Sequence, residues 1–217
     1  KIIDSVNNGL VYPLKLCSSS GCLIALIFKN FVIKLFQSKS TFDKETDIID
    51  KCACNKHIVN SYGYISVENG LITKKNGIYF PDELVYQKTC NLYVSITEKL
   101  DLTTTLIDNR LVLKININNT EKLMKLFLEI GLALEKLHSE SIQHGDCRMD
   151  NIGFLDNSFI LFDFNASSIT STNYNYDISS LVSSIKFYLK DKLNETSQEF
   201  LNFIKLSRNG DKLIDNI

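Results

Sequence analysis

The sequence predicts an α+β fold in which most of the strands precede most of the helices. Short segments rich in β-branched and aromatic residues dominate the first half of the chain, whereas long apolar stripes at helical spacing dominate the second half. Strands segregated from helices in this way are typical of α+β folds. With 217 residues and a hydrophobic fraction of 44%, the chain can form one large domain or two small lobes.

The first part of the chain is predicted to form a five-stranded antiparallel sheet with one helix. The helix is expected at residues 40–54, where apolar residues share one face and Ser40 or Thr41 can act as the N-cap. Residues 68–90 contain Gly and Pro and are interpreted as a long loop or an added hairpin. The predicted strands are residues 11–17, 22–28, 31–36, 62–67 and 92–97.

The second part of the chain is predicted to be mainly helical. Its longest helix should begin near Thr120 and end near Ser139, and a further helix is expected at 176–189, followed by a weaker helical pattern at 195–206. A small hairpin is expected around the turn at Asp156-Asn157. The apolar stripe of the longest helix consists of Leu123, Leu126, Phe127, Ile130, Leu134 and Leu137.

Charge and composition argue against several functional classes. The net charge of −1 provides no basic face for nucleic acid. The longest apolar run near the N-terminus, Leu23 to Phe28, is too short to span a membrane, and the first residues do not resemble a signal peptide. Six cysteines lack the spacing of a zinc site, so we expect reduced thiols. These features favour a location in the cytoplasm.

Two further expectations concern the source of the chain. Its bias towards Ile, Asn, Lys and Phe is typical of an AT-rich genome, such as that of a virus or parasite, so the cytoplasm or nucleus of a host cell is also expected. Because the chain begins with Lys1 rather than Met, we expect a trimmed chain or a domain cut from a longer protein.

The most informative motif consists of polar residues on two neighbouring turns. His144-Gly145-Asp146 is followed by Asn151, and Asp163-Phe164-Asn165 comes after a short apolar hairpin. The motif therefore offers a possible base, a possible metal-binding amide and a second carboxylate. This combination suits phosphoryl transfer, which needs an oriented hydroxyl and metal ions that hold the phosphates in line.

These residues resemble the motifs of the protein kinase-like superfamily, and the resemblance covers about residues 10–190. The family's catalytic loop has the form H-R-D-x-x-x-x-N, and its metal-binding turn has the form D-F-G. The resemblance implies a bilobal fold and an ATP- and Mg²⁺-dependent activity. It also implies that Asp146 is the catalytic base and that Asn151 and Asp163 bind Mg²⁺.

The strand lysine of the family also has a counterpart. Val32-Ile33-Lys34 resembles the V-A-I-K strand, which implies that Lys34 binds the α- and β-phosphates of ATP. Glu45 would be the helix partner of Lys34, and Asp47 is the alternative partner.

The Gly-rich loop of the family is matched only in part. Gly21 aligns with its third glycine, which lets the backbone approach a phosphate closely. Ser18, Ser19 and Ser20 would donate hydroxyl and amide hydrogen bonds to the phosphates.

The hinge of the family is matched by Glu98-Lys99-Leu100. The resemblance implies that the backbone of Glu98 and Leu100 binds adenine and that Thr97 lies at the back of the pocket. Asp177 matches the helix aspartate that braces the catalytic loop, although a simple N-cap role remains open for it.

The chain departs from ordinary protein kinases at several points. Gly145 stands in place of the arginine that usually pairs with an activation-loop phosphate, and no A-P-E sequence lies between Asp163 and Asp177. Activity is therefore expected not to need loop phosphorylation, and residues 68–90 are the expected source of substrate choice. The H-G-D form resembles crinkler-effector-like and aminoglycoside-phosphotransferase-like kinases.

The sequence thus predicts a nucleotide-binding N-lobe at 1–98 and a minimal helical C-lobe at 99–217. The predicted function is phosphoryl transfer from ATP to a protein hydroxyl by an atypical Ser/Thr protein kinase, with Arg148 neutralising the transferred phosphate. A pseudokinase that serves as an interaction module is one alternative. A small-molecule kinase of the aminoglycoside or choline type is another.

Overall fold

The structure is a computed structural model, and the residues that it describes form an α+β fold, as the sequence predicts. The described residues are 15–19, 22–27, 30–36, 38–70, 90–107, 110–113, 120–169 and 175–189, together with Glu195, Ser197 and Glu199. Outside them lie residues 11–14 of the first predicted strand, residues 20 and 21, the centre of the 68–90 segment and most of the predicted helix at 195–206.

The described residues include three strands that the sequence did not predict, at 101–102, 104–107 and 110–113, because these strands are short and carry little periodic pattern. The strands are β1 (Lys15–Ser19), β2 (Cys22–Ile27), β3 (Phe31–Phe36), β4 (Ser61–Gly70), β5 (Cys90–Glu98), β6 (Asp101–Leu102), β7 (Thr104–Ile107), β8 (Arg110–Leu113), β9 (Ile152–Leu155) and β10 (Ser158–Leu161). The helices are α1 (Lys39–Lys51), α2 (Thr120–Ser139) and α3 (Asn175–Leu189), with a short 3-10 helix at Met149–Asn151.

The chain divides into two compact units. The first unit contains the described residues up to Asp50 and from Asn60 to Lys99, and the second contains Lys51–Val59 and the described residues from Leu100 onward. The segment 51–59 joins the second unit because its backbone binds β10. Leu161 N–H donates to His57 O at 2.8 Å, and Val59 N–H donates to Leu161 O at 3.0 Å.

In the first unit, five antiparallel strands form a sheet in the order β1-β2-β3-β5-β4. Helix α1 covers one face of this sheet, where the Phe42 ring lies 5.8 Å from Phe36 and 5.4 Å from Tyr93. The helix begins at Lys39, earlier than predicted. Ser38, rather than Ser40 or Thr41, is its N-cap, because the Ser38 hydroxyl accepts the Thr41 N–H at 3.3 Å.

In the second unit, helix α2 buries the predicted apolar stripe completely. The β9–β10 hairpin turns at Asp156 and Asn157, as predicted, and both residues have positive φ, 48° and 63°. Strand β6 adds to the hairpin through Leu102 opposite Gly153. Among the described helices, none combines the length and the apolar character that crossing a membrane requires.

Candidate active site

The predicted ion pair between Lys34 and Glu45 is present in the first unit. Lys34 Nζ lies 2.9 Å from Glu45 Oε1, and the Glu45 side chain is only 1% exposed. Lys34 lies in the middle of β3, opposite Ser95 of β5, and Glu45 lies on the buried face of α1. Asp47 is exposed, so the structure decides between the two candidate partners in favour of Glu45.

The ion pair is largely buried, with side-chain exposures of 13% for Lys34 and 1% for Glu45. Glu45 Oε2 and Ser95 Oγ are both buried and have no hydrogen-bond partner among the described residues. Removing charged and polar groups from water costs more than a single ion pair usually returns. The Lys34–Glu45 pair is therefore expected to contribute little to the stability of the fold. A functional role of Lys34 explains the position of the pair better.

The residues predicted to bind the nucleotide phosphates are described only in part. Ser18 and Ser19 belong to β1 by their backbone, and Ser19 pairs with Cys22 across a register shift. Ser20 and Gly21 lie outside the described residues, so the expected roles of these four residues stay predictions.

The hinge residues have several backbone groups already engaged within the first unit. Thr97 is buried in β5 opposite Val32. Glu98 N–H donates to Asn60 O at 3.1 Å, and Lys99 N–H donates to Asn30 O at 3.2 Å. These two N–H groups are therefore already engaged, and a ligand that used them would have to replace these hydrogen bonds.

The side chain of Leu100, the third predicted hinge residue, is buried in the second unit. A Cβ atom built on Gly153 would lie 2.4 Å from the Leu100 Cβ, so only glycine fits opposite this leucine. The expected contact of Leu100 with adenine stays a prediction.

In the second unit, Asn151 binds the predicted base Asp146 twice. The Asn151 amide nitrogen donates to Asp146 O at 2.8 Å and to Asp146 Oδ2 at 2.9 Å. Because both acceptors are oxygens, the orientation of the amide is decided, and its Oδ1 faces away from Asp146. The Asp146 side chain is 35% exposed, which lets a hydroxyl group reach the carboxylate.

Asp163 lies beside Asn151 because the β9–β10 hairpin brings its two ends together. Phe162 N–H donates to Asn151 O at 3.0 Å, which continues the hairpin pairing by one residue. Asp163 has a positive φ of 65°, a conformation that is unfavourable for a residue with a Cβ. Its Oδ1 accepts the Asn165 amide at 2.6 Å.

Asp177 braces the loop that carries Asp146. Its carboxylate is fully buried and accepts the backbone N–H of His144 at 2.9 Å and that of Gly145 at 2.8 Å. Asp177 is the third residue of α3 rather than the residue before it, so the bracing role is confirmed and the N-cap interpretation is wrong.

His144 supports the same loop as a neutral imidazole. Nδ1 accepts the Asp146 N–H at 3.2 Å, so Nε2 carries the proton and donates to Phe162 O at 3.2 Å. Burial lowers the pKa of His144 below its ordinary value, against the opposing charge of Asp177. The Phe164 ring packs edge-on against the imidazole with a centroid distance of 5.3 Å.

Gly145 allows a close approach of the chain that follows Asp163. Its φ is +80°, and a Cβ atom at this position would lie 2.4 Å from the Ala166 carbonyl oxygen. Two residues away from this contact in each segment, Gln143 and Ser168 exchange backbone hydrogen bonds of 2.9 and 3.0 Å. The residue that replaces the family's arginine is therefore required by sterics.

Arg148 binds the carboxylate of Asp146, the predicted base, directly. Its Nε lies 2.6 Å from Asp146 Oδ1, and its Nη2 lies 3.1 Å from Asp146 Oδ2. The same Nη2 lies 3.4 Å from Asp150 Oδ2. The predicted neutralising cation is thus near the predicted base, but it occupies the oxygens of that base.

Sequence analysis missed a set of positioning residues on α3. The Ser184 hydroxyl accepts the Met149 N–H at 3.0 Å, and the Tyr188 hydroxyl donates to Asp150 at 3.0 Å. With Asp177, these residues recur at helical spacing along a helix that is otherwise apolar on its buried side. The signal in the sequence that could have predicted these contacts is the presence of polar residues at positions where the helical pattern expects apolar ones.

The chemistry of Asn151 and Asp163 fits Mg²⁺, which prefers oxygen ligands. Among the described residues, no group of three or more His, Cys, Asp and Glu side chains could hold a metal ion by itself. Mg²⁺ commonly takes only one or two protein ligands and completes its shell with water and phosphate oxygens. The Asn151 Oδ1, which the amide hydrogen bonds leave on the side away from Asp146, and the Asp163 carboxylate are suitable as such ligands.

Comparison with known proteins adds no family to this picture. The sequence matches no protein-family model, and no curated protein matches it.

Proposed function

We propose that this protein is an ATP- and Mg²⁺-dependent phosphotransferase, and specifically an atypical Ser/Thr protein kinase that phosphorylates a protein hydroxyl. The proposal includes a bilobal protein kinase-like fold with the nucleotide-binding lobe at 1–98 and the catalytic lobe at 99–217. The observation that carries it is the pair of hydrogen bonds from Asn151 to Asp146, which orients both the base and the amide oxygen.

In the proposed reaction, Asp146 accepts the proton of the acceptor hydroxyl. The hydroxyl oxygen forms a bond to the γ-phosphorus, the bond between that phosphorus and the β,γ-bridging oxygen breaks, and ADP leaves. Asn151 and Asp163 would hold Mg²⁺, which would supply positive charge against the phosphates. The partly exposed Asp146 carboxylate supports this role, because the base must meet a hydroxyl from solvent-accessible substrate.

Lys34 is proposed to bind the α- and β-phosphates, with Glu45 as its positioning residue. The buried carboxylate of Glu45 holds the ammonium group in one place, which lowers the entropy lost when a phosphate binds. Arg148 is proposed to offset the negative charge on the transferred phosphoryl group.

A second candidate function is a pseudokinase that serves as an interaction module. The observation that favours it is the hydrogen bonding of Arg148 to both Asp146 carboxylate oxygens, because an acceptor hydroxyl would have to share the carboxylate with this cation. Phosphotransferase activity separates the two candidates.

The decisive experiment is autophosphorylation with radiolabelled ATP. Wild type should incorporate label, and Asp146→Asn and Asp163→Ala should each lose it. Asp156→Asn is a matched control, because Asp156 lies in the exposed hairpin turn and asparagine tolerates its positive φ. Equal label in all four proteins would reveal a contaminating kinase and contradict the proposal.

A thermal shift with ATP and Mg²⁺ tests nucleotide binding alone. A ligand that binds only the folded protein raises the melting temperature. We expect the shift in wild type and its loss in Lys34→Met. A shift without label incorporation would favour the pseudokinase.

A further inference from the structure

The Asp146 carboxylate is already almost fully engaged by its neighbours. Arg148 donates to both oxygens, at 2.6 and 3.1 Å, and Asn151 donates to Oδ2 at 2.9 Å. A carboxylate has about four lone-pair sites, so at most one remains. A hydroxyl that approaches Asp146 must therefore use the remaining site on Oδ1, beside Arg148, or take the place of a donor.

Arg148 is the donor that can leave. Asn151 is fixed by its second bond, to the Asp146 carbonyl oxygen, and its backbone carbonyl is held by Phe162. The Arg148 side chain is 47% exposed and has several rotatable bonds, so it can move without any change in the backbone.

A second carboxylate lies within reach of the same guanidinium group. Asp150 Oδ2 is 3.4 Å from Arg148 Nη2, beyond a good hydrogen bond but close enough for a small rotation to make one. Asp150 Oδ1 accepts the Tyr188 hydroxyl at 3.0 Å, which leaves Oδ2 turned towards Arg148.

The backbone that carries both carboxylates is anchored to α3. Met149 N–H is bound by the Ser184 hydroxyl at 3.0 Å, and the Thr103 hydroxyl binds the Met149 carbonyl. The two carboxylates therefore keep their separation while Arg148 moves.

We propose that Asp150, held by Tyr188, is a second binding position for Arg148, to which the guanidinium group moves when an acceptor hydroxyl engages Asp146. The effect of this movement on catalysis rests on the proposed function. The two binding positions of Arg148, on Asp146 and on Asp150, can be tested without measuring activity. Asp150 and Tyr188 are positioning residues, because they act through Arg148.

Two features suit Tyr188 to this task. Its hydroxyl fixes one Asp150 oxygen and so leaves the other for Arg148. Burial and the hydrogen bond to Asp150 raise the pKa of Tyr188 to about 12, so its phenol keeps the proton that it donates throughout the physiological range.

The first experiment is NMR of the arginine Nε–H groups in the full chain. The chain has only three arginines, Arg110, Arg148 and Arg208, so the Arg148 signal can be assigned with Arg148→Lys. In Asp146→Ala, we expect a protected Arg148 Nε–H signal to persist, because Asp150 holds the guanidinium group. The signal should disappear in Asp146→Ala/Asp150→Ala.

Two further variants of Asp146→Ala test the role of Tyr188, one with Tyr188 changed and one with a control tyrosine changed. Adding Tyr188→Phe to Asp146→Ala should weaken the Arg148 signal, whereas adding Tyr176→Phe, on the same helix, should leave it unchanged. Loss of the signal in Asp146→Ala as complete as in the double variant would overturn the proposal. If Asp146→Ala does not fold, Asp146→Leu provides the same comparison, because leucine is closer in size to aspartate and has no acceptor for Arg148.

The second experiment measures kinetics and salt dependence. In Asp150→Asn, Arg148 stays on Asp146, so kcat should fall by about fivefold or more while KM for ATP is unchanged. Raising the ionic strength at saturating ATP should bring the kcat of Asp150→Asn closer to that of the wild type, because salt screens the exposed ion pair between Arg148 and Asp146. A purely structural role of Asp150 would not respond to salt in this way.

The outcomes separate the two proposals. An active enzyme whose Asp150→Asn variant keeps the wild-type kcat overturns the movement of Arg148 during turnover. If the wild type shows no phosphotransferase activity, the proposed function fails, and the NMR comparison alone decides whether Asp150 is a second position.

Discussion

At the scale of single residues, Gly145 shows how a motif departure can have a steric cause. In the sequence, Gly145 stands where ordinary protein kinases have an arginine that binds a regulatory phosphate. The sequence alone therefore indicates the loss of that phosphate-binding residue. In the structure, even a methyl group at this position would collide with the Ala166 carbonyl oxygen, and the backbone has a φ of +80°. The glycine is therefore needed for the turn itself.

Gly145→Ala should destabilise the protein by about 1–3 kcal/mol, because the backbone conformation is unfavourable for alanine and the carbonyl must move. Urea unfolding followed by far-UV circular dichroism measures the change in the free energy of unfolding. Gly131→Ala is the control. Gly131 lies inside α2 with open space at its Cβ position, so alanine should stabilise there by up to about 1 kcal/mol. Equal effects at both sites would contradict the steric argument.

His144 makes stability depend on pH. Because burial lowers its pKa, the unfolded chain binds the proton more readily than the folded chain. The stabilising contribution of the neutral ring is complete above the ordinary pKa of 6.5 and is lost as the pH falls from there through the folded value.

We therefore expect the free energy of unfolding to decrease between pH 7 and pH 5, and to decrease less steeply in His144→Gln. The groups that face the imidazole and oppose this effect are Asp177, Asp163 and Asp146. Urea unfolding at several pH values provides the measurement, and identical slopes for both proteins would rule out the assignment to His144.

At the scale of elements, helix α3 positions the loop that carries Asp146, the proposed base. Asp177 holds the start of the loop, Ser184 holds Met149, and Tyr188 holds Asp150. The three contacts follow one side of a single helix, so the loop takes its shape from a rigid support. The sequence predicts the helix and one of these contacts, because only Asp177 belongs to a recognisable motif.

Asp177→Asn should cost about 2–4 kcal/mol, because the amide leaves one backbone N–H of the loop without an acceptor in a buried site. Activity should fall more than stability alone explains, since the loop carries Asp146. Asp43→Asn is the matched control, because Asp43 pairs with Lys39 on the exposed side of α1 and should matter little. A stable and fully active Asp177→Asn variant would argue against the bracing role.

The segment from Asp163 to Ser168 is held in place by hydrogen bonds to the residues before Gly145. Its backbone bonds directly to Gln143, and the Ser167 hydroxyl donates to His144 O at 3.0 Å. These bonds hold the segment without any phosphate. We therefore expect phosphatase treatment to leave phosphotransferase activity unchanged, as measured by initial rates before and after treatment. Loss of activity would show that a phosphorylated residue is required.

At the scale of the whole molecule, stability and activity are expected to conflict at Lys34 and Glu45. Lys34→Met leaves the Glu45 carboxylate buried without its cation and should cost about 3–5 kcal/mol. Lys34→Met/Glu45→Leu removes both charges and should be neutral or more stable by about 1–4 kcal/mol. Neither variant should bind ATP. Urea unfolding and the ATP thermal shift test the two halves of this prediction, and a double variant as unstable as the single one would contradict it.

Much of the fold could be predicted because the signals are local. The α2 stripe, the hairpin turn at Asp156-Asn157 and strand β3 each depend on residues that are neighbours in sequence. Strands β6 to β8 could not be predicted in the same way. Strand β6 has only two residues and exists because β9 offers it a partner, and β7 and β8 have four residues each and pair with one another.

The sequence by itself determined the α+β class, the positions of the main helices and the residues proposed for catalysis, because hydrophobic periodicity and motif spacing are properties of the chain alone. Only the tertiary structure decided that Glu45 rather than Asp47 binds Lys34, that residues 51–59 join the second unit and that Arg148 binds both Asp146 and Asp150. These outcomes depend on which side chains the packed elements bring within a few ångströms. Such distances follow from the folded backbone and are not encoded in the spacing of residues along the sequence.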